Sequence, residues 1–463
     1  MPYVKAVYQA NPVDTLPPVT DASLVEAALD AAVIEGQLDG LERECDHVDD
    51  VATALEHYLH QAIAQRRSDP QLIWARAQPT TQGLIGILRC AGFEGNLPSK
   101  FSEEHYHTDP LYTSVQFESS VQDFLRELWS RIQGYVKKMV IWFKELYLKY
   151  MSVAASLKRR AIDMRKAAMM RNRAVAPGKV NMRHFADLHI DKRAPDANQM
   201  VSTCDVYERA IRALTEKTVV ASYADTLKDF EAALDQSFTR KFDHASFKLT
   251  KFDPVLTVFK RVSELATQGV SNSEVSFGVS DYVSVAHIPT KLVGNKYVYV
   301  AHYVQQADHM PEKASVMVFD SVLIKRRMSS TFARVAEVNR HTAYSVAETK
   351  EVIPFSAAEV ATVCKAVESM AECILQYEYA WLHYEKQSAA FVKKMETFIS
   401  KKLDVPEDNE SEQQRRDFMA NMANAGKDTV KHYTQSVKSL MGEALKTGRL
   451  SLDFCGDCLR HSK

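Results

Sequence analysis

The sequence predicts a mainly α protein of the α+β kind, an elongated helical bundle carrying a small antiparallel β-sheet insert. Three observations lead there. Apolar residues recur at steps of three and four over long stretches, which places them on one face of a helix. The 463 residues contain 15 glycines and 15 prolines, few enough to leave those stretches uninterrupted. Dense Val, Tyr and Phe with strand-like alternation is confined to one region, about residues 274–345.

Taken in order, residues 1–20 hold four prolines and read as an extended arm. Residues 21–98 read as an acidic helical module, with Asp21 or Ser23 as a cap, a break near Gly36 to Gly40, and a short helix from about Thr81. Residues 99–118 read as a linker. Residues 119–175 read as one long basic amphipathic helix, capped by Ser119 or Ser120. Its apolar face carries Phe124, Leu125, Leu128, Trp129, Ile132, Tyr135, Val136, Met139, Val140, Phe143, Leu146, Tyr147 and Tyr150. Ala176-Pro177-Gly178 ends it.

Helices resume over 176–273, with Ser202 as a possible cap and a further short helix from Pro254. The β insert follows as three or four strands, drawn from 274–292, 296–307 and 314–328, with a turn at Gly294-Asn295. Ser356-Ala357-Ala358-Glu359 has the spacing of a capping box and opens a long helical hairpin over 355–448, broken or bent at Gly426. Residues 449–463 read as a C-terminal tail.

Charge is balanced overall, at -1, and unevenly spread. From Arg126 to Arg173 there are thirteen Lys and Arg against Glu127, Glu145 and Asp163. Segregation of this kind calls for an intramolecular partner or a polyanion. Seven scattered cysteines do not make a disulfide framework and fit a reducing compartment. The N-terminus lacks a signal-peptide layout, and no apolar run is long enough to cross a bilayer.

Chemistry-bearing motifs are sparse. Phosphate-binding glycine loops, nucleophile elbows, kinase signatures and helical zinc-protease motifs are absent from the sequence, so it offers no positive argument for an enzyme or a cofactor. Cys455 and Cys458 with His461 form a C-x-x-C-x-x-H group, a candidate for zinc or dithiol chemistry. Zinc needs a fourth ligand, and no second ligand pair lies nearby in sequence.

The basic helix leaves three readings open. Its charges line the solvated side of a packed helix. Alternatively, Lys137, Lys138, Lys144, Lys149, Lys158, Arg159, Arg160, Arg165, Lys166, Arg171 and Arg173 contact nucleic-acid phosphate without sequence preference. In the third reading, Trp129, Trp142, Phe143 and Tyr147 lie on a membrane surface beneath a cationic face.

The layout of an acidic helical segment (LDGLERECDHVDDVATALEHYLHQAIAQ), a Pro-containing linker and the rod FLRELWSRIQGYVKKMVIWFKELYLKY…LKRRAIDMRKAA resembles the internal head, or inner-body, proteins of phiKZ-like giant phages. The resemblance covers about residues 25–175. It implies a non-enzymatic structural protein of the virion, packaged inside the capsid with other core proteins and non-specifically bound double-stranded DNA, and ejected with it. Such a protein would be in host cytoplasm during assembly and after ejection. It also implies proteolytic processing after Glu in a Ser/Ala/Gly-x-Glu context. Ser102-Glu103-Glu104 fits in the linker, which makes Glu104 the candidate processing site; Ala54-Leu55-Glu56 and Ala357-Ala358-Glu359 fit within helices. The rival is an ejected or host-targeted protein that acts on membranes. Long helices also make an oligomer possible.

Overall fold

The computed structural model describes residues 21–68, 86, 110–170, 178–237, 283–288, 290–303, 332–337, 346–402 and 410–461. The arm at 1–20, the helix expected from Thr81, Glu104, Arg171, Arg173, the helix from Pro254 and the strand expected over 314–328 lie outside them.

Eight helices and five strands occupy the described residues. They are α1 (Asp21–Ser68), α2 (Pro110–Met170), β1 (Val180–Met182), α3 (Phe185–Leu188), α4 (Ala197–Thr215), α5 (Lys217–Ser237), β2 (Val283–His287), β3 (Lys296–Tyr303), β4 (Phe332–Glu337), β5 (Lys350–Val352), α6 (Ala357–Leu375), α7 (Glu378–Lys402) and α8 (Glu410–His461). The mainly α class is observed.

Ten of the thirteen residues expected on the apolar face of the long helix are buried, Phe124, Tyr135 and Val140 are half-buried at its margin, and the buried face continues through Val153, Leu157 and Ala161. It packs against α1 and α6, with α7 and α8 completing the surround. Its start differs from expectation. It begins at Pro110, inside the stretch expected to be linker; proline suits a first helical turn because the missing N–H would lack a partner there anyway.

Three expected interruptions are absent. α1 runs unbroken through Gly36 and Gly40. α8 runs through Gly426, where the absent side chain admits the Phe391 ring instead: a Cβ there would lie 2.0 Å from the ring's Cζ. The expected C-terminal tail is the last part of α8, with Leu450, Leu452, Phe454 and Leu459 buried. Conversely, the run expected to continue from Ala357 turns at Gln376 and Tyr377. That turn sends Tyr377 into an aromatic cluster, where its hydroxyl meets that of Tyr433 on α8.

Capping follows local chemistry. Ser356 and Glu359 form the expected capping box at α6. α4 is capped by Asp196, whose carboxylate accepts from Gln199 N–H at 2.8 Å, and Ser202 lies inside the helix. Asp196 precedes the first turn with Gln three residues on, the spacing a reciprocal cap needs.

The β insert is an antiparallel sheet in the order β2-β3-β4, with Val285 opposite Ala301 and Val298 opposite Val335. The expected turn is present, with Gly294 and Asn295 at positive φ (76° and 54°). It docks on a second tight turn at Asp191-Lys192, where Asn295 Oδ1 accepts from the Asp191 N–H at 2.8 Å. β4 was not among the stretches expected as strands. It is held to α8 by its Val335 N–H, which donates to Ser439 Oγ at 3.1 Å. A separate two-stranded sheet pairs β1 with β5, Val180 opposite Val352.

Candidate functional site

The cations of α2 are where the sequence points first, and most of those described are engaged within the molecule. Lys137 and Lys144 reach Glu396 and Glu385 of α7, at 3.5 and 2.5 Å. Lys158 and Arg165 pair with Glu372 and Glu368 of α6, the second at 2.9 Å. Arg160 meets Asp453 of α8 at 2.8 Å, and Lys149 meets Asp30 of α1 at 2.6 Å. Arg159 is half-buried, whereas Lys138 and Lys166 stand exposed on the outer face. The aromatic side of α2 faces protein, with Trp129, Phe143 and Tyr147 buried and Trp142 half-buried.

A second charged constellation has no counterpart in the sequence reading. α1 and α8 run antiparallel, and carboxylates of one face lysines of the other in register. Asp39 and Glu42 meet Lys438, Asp46 meets Lys431, and Asp49 meets Lys427 at 2.9 Å. Between them Gln435 donates to Glu42 at 2.8 Å. The signal was present: Asp39 and Asp46 are seven apart, as are Glu42 and Asp49 and also Lys431 and Lys438. Two turns of helix return a side chain to nearly the same face.

The ladder lines a cleft of about 940 Å³ between the two helices, to which Tyr150 and Val153 of α2 and Val335 of β4 also contribute. Tyr150 donates to Glu35 at 2.5 Å inside it. Burial pushes the Glu35 and Glu42 carboxyls above the ordinary carboxylate value; Tyr150 and Lys438 oppose the rise at Glu35, and Lys438 and Gln435 oppose it at Glu42. Glu443 pairs with Lys296, and Lys446 with Asp187, which ties the cleft rim to the start of β3 and to α3.

The C-x-x-C-x-x-H group does not converge. Cys455 is hydrogen-bonded to Cys364 of α6, and Cys458 Sγ accepts from the Phe355 N–H at 3.3 Å. His461 lies against Gly178, where a Cβ would come within 2.6 Å of its Nε2. Among the described residues no group of three or more His, Cys, Asp or Glu is placed to hold a metal ion, and no helix is long and apolar enough to cross a membrane.

A bundle of long helices whose charged groups are largely taken up by one another has the build of a structural protein. The chain matches the phiKZ-like phage internal head proteins over residues 24–457 and belongs to that family. It is thus a structural protein of the phage head interior, associated there with other virion components. No curated protein and no solved structure matches the chain.

Proposed function

We propose that this protein is a non-enzymatic strut of the head interior, packing against other core proteins and touching packaged double-stranded DNA through cations left on its outer surface. One observation carries the reading. Lys137, Lys144, Lys158, Arg160 and Arg165 of α2 are tied to acidic residues on α6, α7 and α8, so the basic helix serves first as the axis of a cross-linked bundle. DNA contact then falls to exposed positions such as Lys138 and Lys166, and is weak and salt-sensitive. The long helix faces suit side-by-side packing with further copies or other core proteins.

The membrane-surface reading draws no support from the geometry, because Trp129, Phe143 and Tyr147 are buried in the core and Trp142 packs partly against it. Processing after Glu104 belongs to the proposal. A cut there would part α1 from the rest of the chain, and the trimmed protein would leave the head with the DNA.

A mobility-shift series on duplex DNA across salt concentration tests the contact. Binding is expected at low salt, with Lys138→Ala plus Lys166→Ala flattening the salt slope by about 2. No binding at any salt would remove DNA from the proposal. Mass spectrometry of virions tests processing: peptides beginning at His105 are expected, and an intact N-terminus would rule the cut out.

A further inference from the structure

We propose that α1 is an acidic cover over a DNA-binding lysine stripe on α8, and that this stripe is the protein's main phosphate-contacting surface once α1 is displaced. The inference rests on the DNA-contact reading above and moves that contact from α2 to α8.

The stripe is Lys431, Lys438, Lys446 and Arg449, beyond the buried Lys427–Asp49 pair, with Glu443 as the acidic residue in that interval. Its spacing keeps Lys431 and Lys438 along one side of α8 with Lys427. α1 presents carboxylates to that side in matching antiparallel register. A row of carboxylates at helical spacing is a row of fixed anions, the role DNA phosphates would take over.

Exposure within the pairs is asymmetric. Lys438 keeps 12% of its side chain exposed and Lys431 18%, while their partners Asp39 and Asp46 keep 58% and 49%. The carboxylates therefore sit outside the lysines and shield them from solvent. The exposed carboxylate of each pair can turn away into water without opening the core.

Packing points the same way. α1 makes its close backbone approach to α2, while it reaches α8 through side chains along the edge of the cleft. Opening the α1–α8 seam at Asp39 and Asp46 breaks ion pairs rather than an apolar interface. The cleft already admits solvent, so a phosphate can approach the lysines by the path a carboxylate leaves. Arg449 and Lys446, the latter paired with Asp187, line the same cleft beyond the stripe.

The test uses the full chain with near-isosteric neutral substitutions. One variant carries Asp39→Asn and Asp46→Asn, which removes the carboxylate of Lys431 and leaves Lys438 with Glu42 alone. A second carries Glu385→Gln and Glu396→Gln on α7, which releases Lys144 and Lys137 of α2 with the same change in formal charge. Each is titrated with a duplex of about 30 base pairs from about 50 mM salt upward. The first variant is expected to bind at least about fivefold tighter than the parent, with a salt slope steeper by about 2. The second should stay within about twofold of the parent, and adding Lys431→Ala and Lys438→Ala to the first should abolish its gain.

Equal gains in the two variants, or a gain that survives the alanine substitutions, would reduce the effect to net charge and overturn the proposal. Parent binding left unchanged by the first variant overturns it while leaving the DNA-contact reading intact. Absence of duplex binding in every variant overturns both. Gain toward phosphatidylserine vesicles without gain toward duplex would make the partner a membrane and also overturn it. If the double variant melts early, Asp46→Asn alone carries the test, with an expected slope change of about 1.

Discussion

The Lys427 ammonium lies 2.9 Å from the Asp49 carboxylate, and the two side chains are 1% and 2% exposed. Asp428 stands 3.6 Å from the same ammonium. Burial by itself would lower the Lys427 pKa; Asp428, Asp49 and Cys45 outweigh it and raise the pKa above the ordinary lysine value. The pair ties the middle of α1 to α8 where neither charge reaches water.

Breaking the pair from one side should therefore be costly. Lys427→Met leaves Asp49 buried without its cation, and urea denaturation should show a loss of about 3–5 kcal/mol. Adding Asp49→Leu should recover most of it, since a buried pair replaced by apolar groups is often neutral. The raised pKa sets the pH window. The stabilisation is fully present below the ordinary lysine value of 10.5 and is lost as pH rises through the higher folded value. Denaturation midpoints should be insensitive to this group at neutral pH and fall on the alkaline side in the parent relative to the double variant.

The glycines divide into two kinds, and substitution should separate them. At Gly36 and Gly40 an added Cβ would meet nothing within 4 Å, so alanine there should stabilise α1 by up to about 1 kcal/mol each. At Gly426 the Cβ would fall 2.0 Å from Phe391, so Gly426→Ala should lower the melting temperature. The loss should be about 1–3 kcal/mol, with Phe391→Leu in the same chain returning part of it. A stabilised Gly426→Ala protein would contradict the described α7–α8 crossing.

Glu35 and Glu42 predict an acid-side effect with a definite sign. Both carboxyls are raised, first by desolvation, so the folded state favours their protonated forms. Their contribution to stability is fully present below the ordinary carboxylate value of 4.5 and is lost as pH rises through the folded values. Glu35→Gln, which is neutral at every pH, should gain on the parent at pH 7 and lose that advantage as pH falls below about 4.5. Chemical denaturation at the two pH values measures the difference.

Thiol labelling should report unfolding rather than surface exposure. Burial pushes Cys45 and Cys204 up to about 12, and Cys373 and Cys458 up to about 11. All six described cysteines are buried and free. Thiolate is the reactive form, and Cys364, which its hydrogen bond with Cys455 shifts down, is kept from reagent by burial, so alkylation of these six at pH 8 should be slow in native protein and complete in denaturant. Fast labelling of Cys455 or Cys458 in native protein would show that the end of α8 does not pack as described.

The elements differ in how far sequence could reach them. The buried face of α2, the Ser356–Glu359 capping box and the Gly294-Asn295 turn were all legible, because each is decided within a few residues by periodicity, a reciprocal hydrogen bond or a positive φ. Gly36, Gly40 and Gly426 misled, because glycine weakens a helix by about 1 kcal/mol and tertiary packing outweighs that. The last turns of α8 read as a tail because Cys455, Cys458 and His461 drew attention to themselves as a motif, while Leu450, Leu452, Phe454 and Leu459 were what folded the segment.

The charges mark the boundary between the two kinds of knowledge. Sequence alone established long helices, the side α2 buries, and a basic surplus between Arg126 and Arg173. It could not say which anion each cation would meet. That was decided by tertiary structure, for Asp39 and Lys438 are 399 residues apart in the chain and adjacent in the molecule. An apolar stripe declares its burial by its own spacing. A charge has the same spacing whether it faces water, a phosphate or a carboxylate, and the placement of the next helix selects among them.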